Sequence, residues 1–333
     1  VLQGGHSFYP TALYSRLDGP VLDSEVPYST APSASTPDSY TRVLRLRDVY
    51  YLSFSNDDYE INASSSNRNI IKRRIMQVGG VAGSYYNNDS AYTTDKDGGY
   101  SFYSKVNDET RGHAILIVGW DDNYSKDNFK TKPSSDGAWL IKNSWGTSWG
   151  DEGYFWMSYE QYLTDGTAFI VEKADDDMKA YYYDALGWCG NSSVPYAANV
   201  FKSERNEILT EVGFYTPDNN VGYEINIYTG MSSMPSSNPI NGSSVSKTTG
   251  TEAFAGYHTV TLDTPVTLTE GGYFSVVIKF TGTSKFPVEM KTSGYSDNAV
   301  IEKGSFSSSN GSSWSARSDC NFCIKAFTVT ASN

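Results

Sequence analysis

The chain has 333 residues, which is long enough for two domains. Its 38 acidic and 26 basic side chains give a formal net charge of −12, which argues against nucleic acid or an anionic membrane surface as the main partner. No apolar run approaches the roughly 20 residues that span a bilayer. The opening VLQGGHSFYP lacks the features of a signal peptide. We therefore expect an exported or extracellular protein without a membrane span, processed or truncated before Val1.

Helical signals are confined to the first 175 residues or so. Apolar residues at helical spacing predict a helix within Ser7–Leu22, which ends in the stop signal Gly-Pro, and a second helix over Asn67–Gly80. The apolar face of the second helix would consist of Ile70, Ile71, Ile75 and Met76. A short strand, VAGSYY, follows it directly.

Three further strands are predicted in this half of the chain. HAILIVGW (His113–Trp120) is a nearly continuous apolar run, which is typical of a strand buried on both faces. AWLIKNSW and GYFWMSY also read as strands, separated by a glycine-rich turn.

The pattern changes after the acidic residues Asp175–Asp177. From about Tyr182 onward, short alternating runs such as TEVGFYT, YEINIYT and YFSVVIKF are divided by Gly, Ser, Asn and Pro clusters. This pattern predicts an all-β antiparallel sandwich. We therefore place one domain at 1–175 and a second at 178–333.

The three cysteines all lie in the second half of the chain. Cys320 and Cys323 have CxxC spacing, but no second pair and no nearby histidine completes a metal or redox site. The favoured interpretation is strand-end cysteines with one structural disulfide to Cys189. An odd count leaves at least one thiol unpaired within the chain.

The three histidines differ in their context. His258 lies in GYHTVTL, where an exposed strand position is expected, and His6 lies in a loop before a helix. His113 opens an apolar strand directly after the polar loop NDETRG, so the strand end can present it to a cleft. On its own, His113 could be an ordinary histidine at a strand end.

A partner for His113 is available in the run Asn143-Ser144-Trp145. An imidazole at a strand end is a competent general base when a second group fixes its orientation. The side-chain carbonyl of Asn143 can accept the ring N–H without adding negative charge, which suits an ion pair with a thiolate. The indole of Trp145 can then cover that hydrogen bond and exclude water from it.

These motifs resemble those of the papain-like cysteine peptidases. The matching stretches are GHAILIVGW and WLIKNSWGTSWGDEGYFWMS, with weaker likeness in GGHSFYPTAL and MQVGGVAGSYY. The resemblance implies an α+β papain-like peptidase domain, incomplete at its N-terminus, over residues 1–175. It implies that His113 is the catalytic base, that Asn143 orients it and that Trp145 shields their hydrogen bond.

The same resemblance implies a substrate-binding set. Gly4 and Gly5 match the backbone segment that pairs with extended substrate, since glycines let a peptide backbone approach closely. Ser84, Gly112 and Ala114 fall where the family lines its main specificity pocket.

The sequence departs from the compact members of the family in two ways. The insert DDNYSKDNFKTKPSSDG (Asp121–Gly137) lengthens the loop between His113 and Asn143, as in bacterial members. The nucleophile is also missing, because the family carries its Cys roughly 130–150 residues before the His and Asn. Three explanations stay open: a Cys-bearing fragment of the same precursor cut off but retained, an N-terminal part left out of the sequence, or a natural pseudoenzyme.

The tail from Tyr182 resembles the lectin-like β-domain that follows papain-like domains in some secreted and cell-wall-associated bacterial peptidases. NVFKSERNEILTEVGFYT and GGYFSVVIKF carry this likeness. It implies a binding or anchoring role, with glycan as one ligand. The acids Asp95 and Asp97 and the run Asp175–Asp177 offer oxygen ligands for structural Ca²⁺, but neither has the spacing of an EF-hand loop, and a solvated charge run is favoured.

These observations together predict a secreted or cell-surface bacterial cysteine endopeptidase that hydrolyses protein or peptide substrates. It would need no cofactor, and its Cys would come from outside this chain. The alternative is an inactive papain-like scaffold that binds glycan or peptide at a surface. The residue at the upstream Cys position distinguishes the two hypotheses.

Overall fold

The computed structural model describes residues 5–22, 24–27, 41–52, 65–94, 98–105 and 112–331, with only the backbone given at Thr164. These residues form two compact units. The larger unit comprises Val1–Val49 and Ile170–Asn333, and the smaller unit comprises Tyr50–Phe169. The chain passes between them within strands β1 (Leu44–Tyr51) and β8 (Leu163–Lys173).

Two α-helices are present in the described ranges, α1 (Phe8–Tyr14) and α2 (Ser65–Val78). Helix α1 is shorter than predicted, because Leu17 adopts a left-handed backbone conformation with φ of 68° before the Gly-Pro signal is reached. Short 3₁₀ turns occur at Asp89–Ala91 and Lys126–Asn128. Neither α-helix is long and apolar enough to cross a membrane.

Helix α2 confirms the second predicted helix but not its whole apolar face. Ile71 and Ile75 are buried, whereas Met76 is 68% exposed. Residues at i and i+4 share a helix face, so the Ile71–Ile75 pair defines the buried stripe, and Met76, at i+5, is turned away from it.

The smaller unit is built on a mostly antiparallel sheet in the order β3-β4-β7-β6-β5-β2, and β2 also pairs with β8. Only β4 and β7 run parallel. Its strands are β2 (Val81–Tyr86), β3 (Tyr92–Thr94), β4 (Tyr100–Phe102), β5 (Gly112–Asp121), β6 (Ala138–Lys142) and β7 (Tyr154–Ser158).

Strand β5 does not have two buried faces as its apolar sequence predicted. Ile115 and Ile117 are buried, but Ala114 is exposed and Leu116 is 36% exposed. The alternation follows the two-residue period of a strand, so the even-numbered residues form a face that is only partly covered.

The larger unit contains an antiparallel β-sandwich. A four-stranded arrangement β15-β12-β21-β9 faces a six-stranded sheet β14-β13-β16-β11-β18-β19, and β10-β17-β20 forms a small third sheet. The strands are β9 (Lys179–Tyr181), β10 (Gly190–Ser192), β11 (Tyr196–Lys202), β12 (Glu207–Thr216), β13 (Val221–Met231), β14 (Ser246–Glu252), β15 (Gly256–Leu268), β16 (Tyr273–Thr281), β17 (Phe286–Glu289), β18 (Ser305–Ser308), β19 (Ser315–Ala316), β20 (Asn321–Phe322) and β21 (Ile324–Thr330).

The sandwich core is formed by the inward residues of both main sheets. Phe214 of β12 and Ile324 of β21 belong to the same buried cluster as Ile225 of β13 and Ile278 of β16. All four are fully buried. Two-residue alternation places these side chains on one face of each strand, which is why the alternating runs after Tyr182 predicted this architecture.

Two expectations about the larger unit are wrong. His258 is fully buried, not exposed, and its Nε2 lies 2.9 Å from Thr216 Oγ1. Burial lowers the pKa of His258 to about 3, so it is neutral at pH 7. The predicted disulfide to Cys189 is not formed, and all three cysteines are free thiols. Cys189 precedes β10, whereas Cys320 and Cys323 flank β20, and strand β17 lies between β10 and β20.

One carboxylate makes four of the hydrogen bonds that fix the predicted insert Asp121–Gly137. Glu160 accepts hydrogen bonds from the backbone N–H and hydroxyl of Ser134 at 2.9 and 2.6 Å, and from those of Ser135 at 2.7 and 2.9 Å. Partial burial raises the pKa of Glu160, but these hydrogen bonds outweigh it and lower the pKa to about 2. The insert therefore depends on an ionised Glu160.

We expect Glu160→Gln to destabilise the protein at neutral pH, and the difference from wild type to shrink on acidification. The folded pKa is depressed, so the contribution of Glu160 is complete above its ordinary pKa near 4.5 and is lost as the pH falls towards 2. Urea unfolding of both proteins at several pH values measures this. A difference that stays constant from pH 6 to pH 3 would contradict the role given to the carboxylate charge.

Candidate active site

Strand pairing in the smaller unit brings His113 and Asn143 together. His113 is the second residue of β5 and pairs with Tyr85 of β2. Asn143 directly follows β6, whose last residue, Lys142, pairs with Leu116 of β5. Asn143 therefore lies beside the N-terminal half of β5, and its backbone N–H bonds to the carbonyl of Gly153 at 2.9 Å.

The two side chains are joined by a hydrogen bond. Asn143 Oδ1 lies 2.9 Å from His113 Nε2 and also accepts the backbone N–H of Ser144 at 2.8 Å. Because an amide oxygen can only accept, Nε2 carries the ring proton and Nδ1 keeps its lone pair. Asn143 is 9% exposed, and its Nδ2 has no hydrogen-bond partner in the part of the chain that the structure describes.

Trp145 covers one side of the imidazole. The ring centroids of Trp145 and His113 are 5.0 Å apart with an interplanar angle of 32°, and Trp145 is 39% exposed. Trp149 supports the indole of Trp145 edge-on at 4.7 Å. An exposed indole held over a His–Asn hydrogen bond limits the access of water to that bond.

Tyr85 and Tyr92 complete the surroundings of the imidazole and were not predicted from the sequence. Tyr85 meets His113 edge-on at 5.7 Å, and its hydroxyl lies 2.5 Å from the hydroxyl of Tyr92. Tyr92 also contacts Trp145 at 6.1 Å. Burial raises the pKa of both phenols well above 10, so both are neutral hydrogen-bonding groups.

The predicted pocket residues occupy neighbouring positions on the sheet. Ser84 pairs directly with Ala114 across β2 and β5, and Gly112 pairs with Tyr86. Gly112 and Ala114 are exposed, and Ser84 is half-buried. Gly5 is an exposed residue before α1 in the larger unit, and Gly4 lies outside the described residues.

The thiols of this chain are unsuited to act as the nucleophile. All three cysteines belong to the larger unit, whereas His113 belongs to the smaller one. Burial raises the pKa of Cys189, raises that of Cys320 to about 11 and raises that of Cys323 further. A nucleophilic thiol needs the opposite shift.

The proposed Ca²⁺ ligands do not form a site in the described residues. No group of three or more His, Cys, Asp or Glu side chains there could hold a metal ion. Asp177 instead accepts hydrogen bonds from Thr330 and pairs with Arg205 at 3.3 Å. Asp95 and Asp97 lie outside the described residues.

Comparison with protein families identifies the family to which this chain belongs. The family described as papain family cysteine protease matches residues 3–172, and the family described as lectin like domain matches residues 180–328. The chain belongs to the papain family of cysteine proteases. The predicted fold class, a papain-like domain followed by an antiparallel β-sandwich, is confirmed.

Solved structures show the same two-domain combination. The clostridial cysteine protease Cwp84, in its structure after propeptide cleavage, is 29% identical, with 96% of this chain and 81% of that chain covered at a TM-score of 0.78. A second structure contains the cysteine protease and lectin-like domains of Cwp84, a surface layer associated protein of Clostridium difficile. It also has 29% identity, with 96% and 72% of the two chains covered at a TM-score of 0.74.

Two curated relatives match this chain over short segments. Serine-repeat antigen protein 5 of Plasmodium falciparum is 36% identical over 91 residues, which are 26% of this chain and 8% of that protein. A cathepsin L-like peptidase of Aedes aegypti is 30% identical over 88 residues, 26% of this chain and 23% of that protein. The matched segments thus span less than a quarter of either relative.

We expect Asn143→Ala to remove the preference of His113 for the tautomer that carries the ring proton on Nε2. Without Oδ1 to accept it, the two tautomers of the imidazole have similar energies and interconvert. Heteronuclear NMR of the ring nitrogens measures the tautomer: one form in the wild type, a mixture in the variant. Trp145→Ala, which leaves Oδ1 in place, is the matched control and should keep the Nε2–H form; a wild-type Nδ1–H form would contradict the assignment.

Proposed function

We propose that this chain supplies the His–Asn half of a cysteine endopeptidase site, with the Cys coming from a segment outside the chain. The hydrogen bond of 2.9 Å between His113 Nε2 and Asn143 Oδ1 carries this proposal. This hydrogen bond fixes the tautomer in which Nδ1 of His113 can accept a proton. Nδ1 is then available as the base that takes the proton of a thiol.

The proposed reaction uses each residue in one role. His113 Nδ1 takes the proton of the thiol, and the thiolate attacks the carbonyl carbon of the peptide bond. His113 then returns the proton to the leaving amine as the C–N bond breaks, and water hydrolyses the acyl-enzyme. Asn143 holds the imidazole orientation through both proton transfers, and Trp145 keeps water from their hydrogen bond.

The proposed substrate is an extended protein or peptide segment. Ser84, Gly112 and Ala114 would line one side of the pocket for its side chain, and Gly4 and Gly5 would pair with its backbone. The reaction needs no cofactor. The proposed partner is an N-terminal Cys-bearing fragment of the same precursor, retained without a covalent link.

The proposed location is the surface of a bacterial cell or its surroundings. The association of Cwp84 with a surface layer supports this, together with the lectin-like domain that both chains share. The β-sandwich of residues 178–333 would anchor the enzyme, with glycan as one candidate ligand.

We expect the protein purified from its native source to react with an epoxysuccinyl thiol-protease inhibitor. Intact mass under denaturing conditions should then show a second, smaller chain carrying one inhibitor adduct. His113→Ala should lower kcat/KM for peptide hydrolysis by about 10²–10⁴-fold, the usual contribution of a general acid–base group. Asn143→Ala should give a smaller loss, since the base remains.

Cys189→Ser is the control, because labelling should be unchanged if the reactive thiol lies outside this chain. A single unlabelled species of about 36.7 kDa that does not cleave peptides would refute the proposal. That result would favour the alternative, a surface-binding protein on a papain-like scaffold.

A further inference from the structure

A lysine and an aspartate contact each other inside the larger unit, with both side chains fully buried. Lys325 Nζ touches Asp184 Oδ2, and neither side chain has any exposed surface. The carboxyl of Asp184 also interacts with the side chain of Cys323. Neither residue belongs to the site around His113.

Aromatic rings surround the amine. Lys325 Nζ lies 5.6 Å from the ring centroid of Tyr215 and 5.8 Å from that of Tyr257. Both tyrosines are almost completely buried, at 1% and 0% exposure. The pair is therefore sealed from bulk water, in an environment that solvates charges poorly.

Such an environment penalises the separate charges of an ammonium and a carboxylate. Removing an ammonium and a carboxylate from water costs several kcal/mol per ion, and their attraction offsets this only when the remaining hydrogen-bonding positions are filled. The thiol of Cys323, which interacts with Asp184, is a weak donor and fills such a position poorly. Burial raises the pKa of Asp184, in the direction of the protonated acid.

We propose that Lys325 and Asp184 condense to form an intramolecular amide. After a proton moves from the ammonium to the carboxylate, the free amine attacks Cγ of the protonated Asp184. A C–N bond forms and a C–O bond breaks, and the oxygen leaves as one water molecule. No oxidant, reductant or other reactant is required, and the absence of bulk water disfavours the reverse hydrolysis.

Glu289 is a further buried carboxyl of the larger unit whose charge interacts with both members of the pair. Its carboxyl accepts the backbone N–H of Leu186 at 2.7 Å and the side-chain amide of Asn321 at 2.5 Å. It is 1% exposed and feels the charges of both Asp184 and Lys325. Burial raises its pKa, in the direction of the protonated acid, and we assign to it the exchange of a proton with the tetrahedral intermediate.

The amide would join the two ends of the sandwich. Asp184 lies shortly after β9, the first strand of the sandwich, and Lys325 lies in its last strand, β21. The two residues are 141 positions apart in the chain. A covalent link across so long a loop restricts the unfolded chain strongly, so it would stabilise the unit against heat and mechanical force.

Peptide mapping of the purified full chain tests this proposal. Expected is a branched peptide that contains both the Asp184 segment and the Lys325 segment, with a mass one water molecule below their sum. Intact masses give a second measure. The wild type should be lighter than its sequence mass by one water molecule, whereas Lys325→Met should have its full sequence mass. Separate, unmodified peptides in the wild type would overturn the proposal.

Two variants refine the test. Lys247→Met removes a lysine that forms a surface ion pair with Glu224 at 2.8 Å, and this control should keep the branched peptide. Glu289→Gln should yield folded protein in which the branched peptide is reduced at least tenfold. A fully linked Glu289→Gln protein would overturn the role of Glu289, and loss of the link in Lys247→Met would overturn the assignment to Lys325.

Discussion

The antiparallel register of β2, β5 and β6 is the constraint on which the candidate site depends. It places Tyr85 opposite His113 and Lys142 opposite Leu116, so that Asn143, the next residue, meets the imidazole. A slip of one residue would turn every side chain of a strand to the other face. The hydrogen bond of 2.9 Å is thus set by the pairing of whole strands and not by the two residues alone.

The parts of this fold that could be predicted from sequence are those encoded locally. The strand periodicity after Tyr182 depends on neighbouring residues only, whereas the contact of Asn143 with His113, 30 positions away, was expected from the resemblance to the papain-like peptidases. The roles of Tyr85 and Tyr92 could not be predicted, because their hydroxyl contact joins residues on separate strands. The burial of His258 was missed for a similar reason: only the partners of β15 decide which of its faces is covered.

Buried polar atoms without partners are uncommon in folded proteins and call for an explanation. Among the described residues, Asn143 Nδ2 is such an atom, and Asn143 is a residue for which we propose chemistry. Its Oδ1 makes the contact with His113 while Nδ2 is left unsatisfied. This cost is consistent with a side chain that is held for a purpose other than stability.

The two sites differ in their access to solvent, and that difference matches the chemistry proposed for each. A hydrolytic site must admit substrate and water repeatedly, and His113 is itself only half-buried. The proposed amide forms only once, so no substrate has to enter and only one water molecule has to leave. Complete burial of Lys325 and Asp184 therefore favours the bond and protects it afterwards.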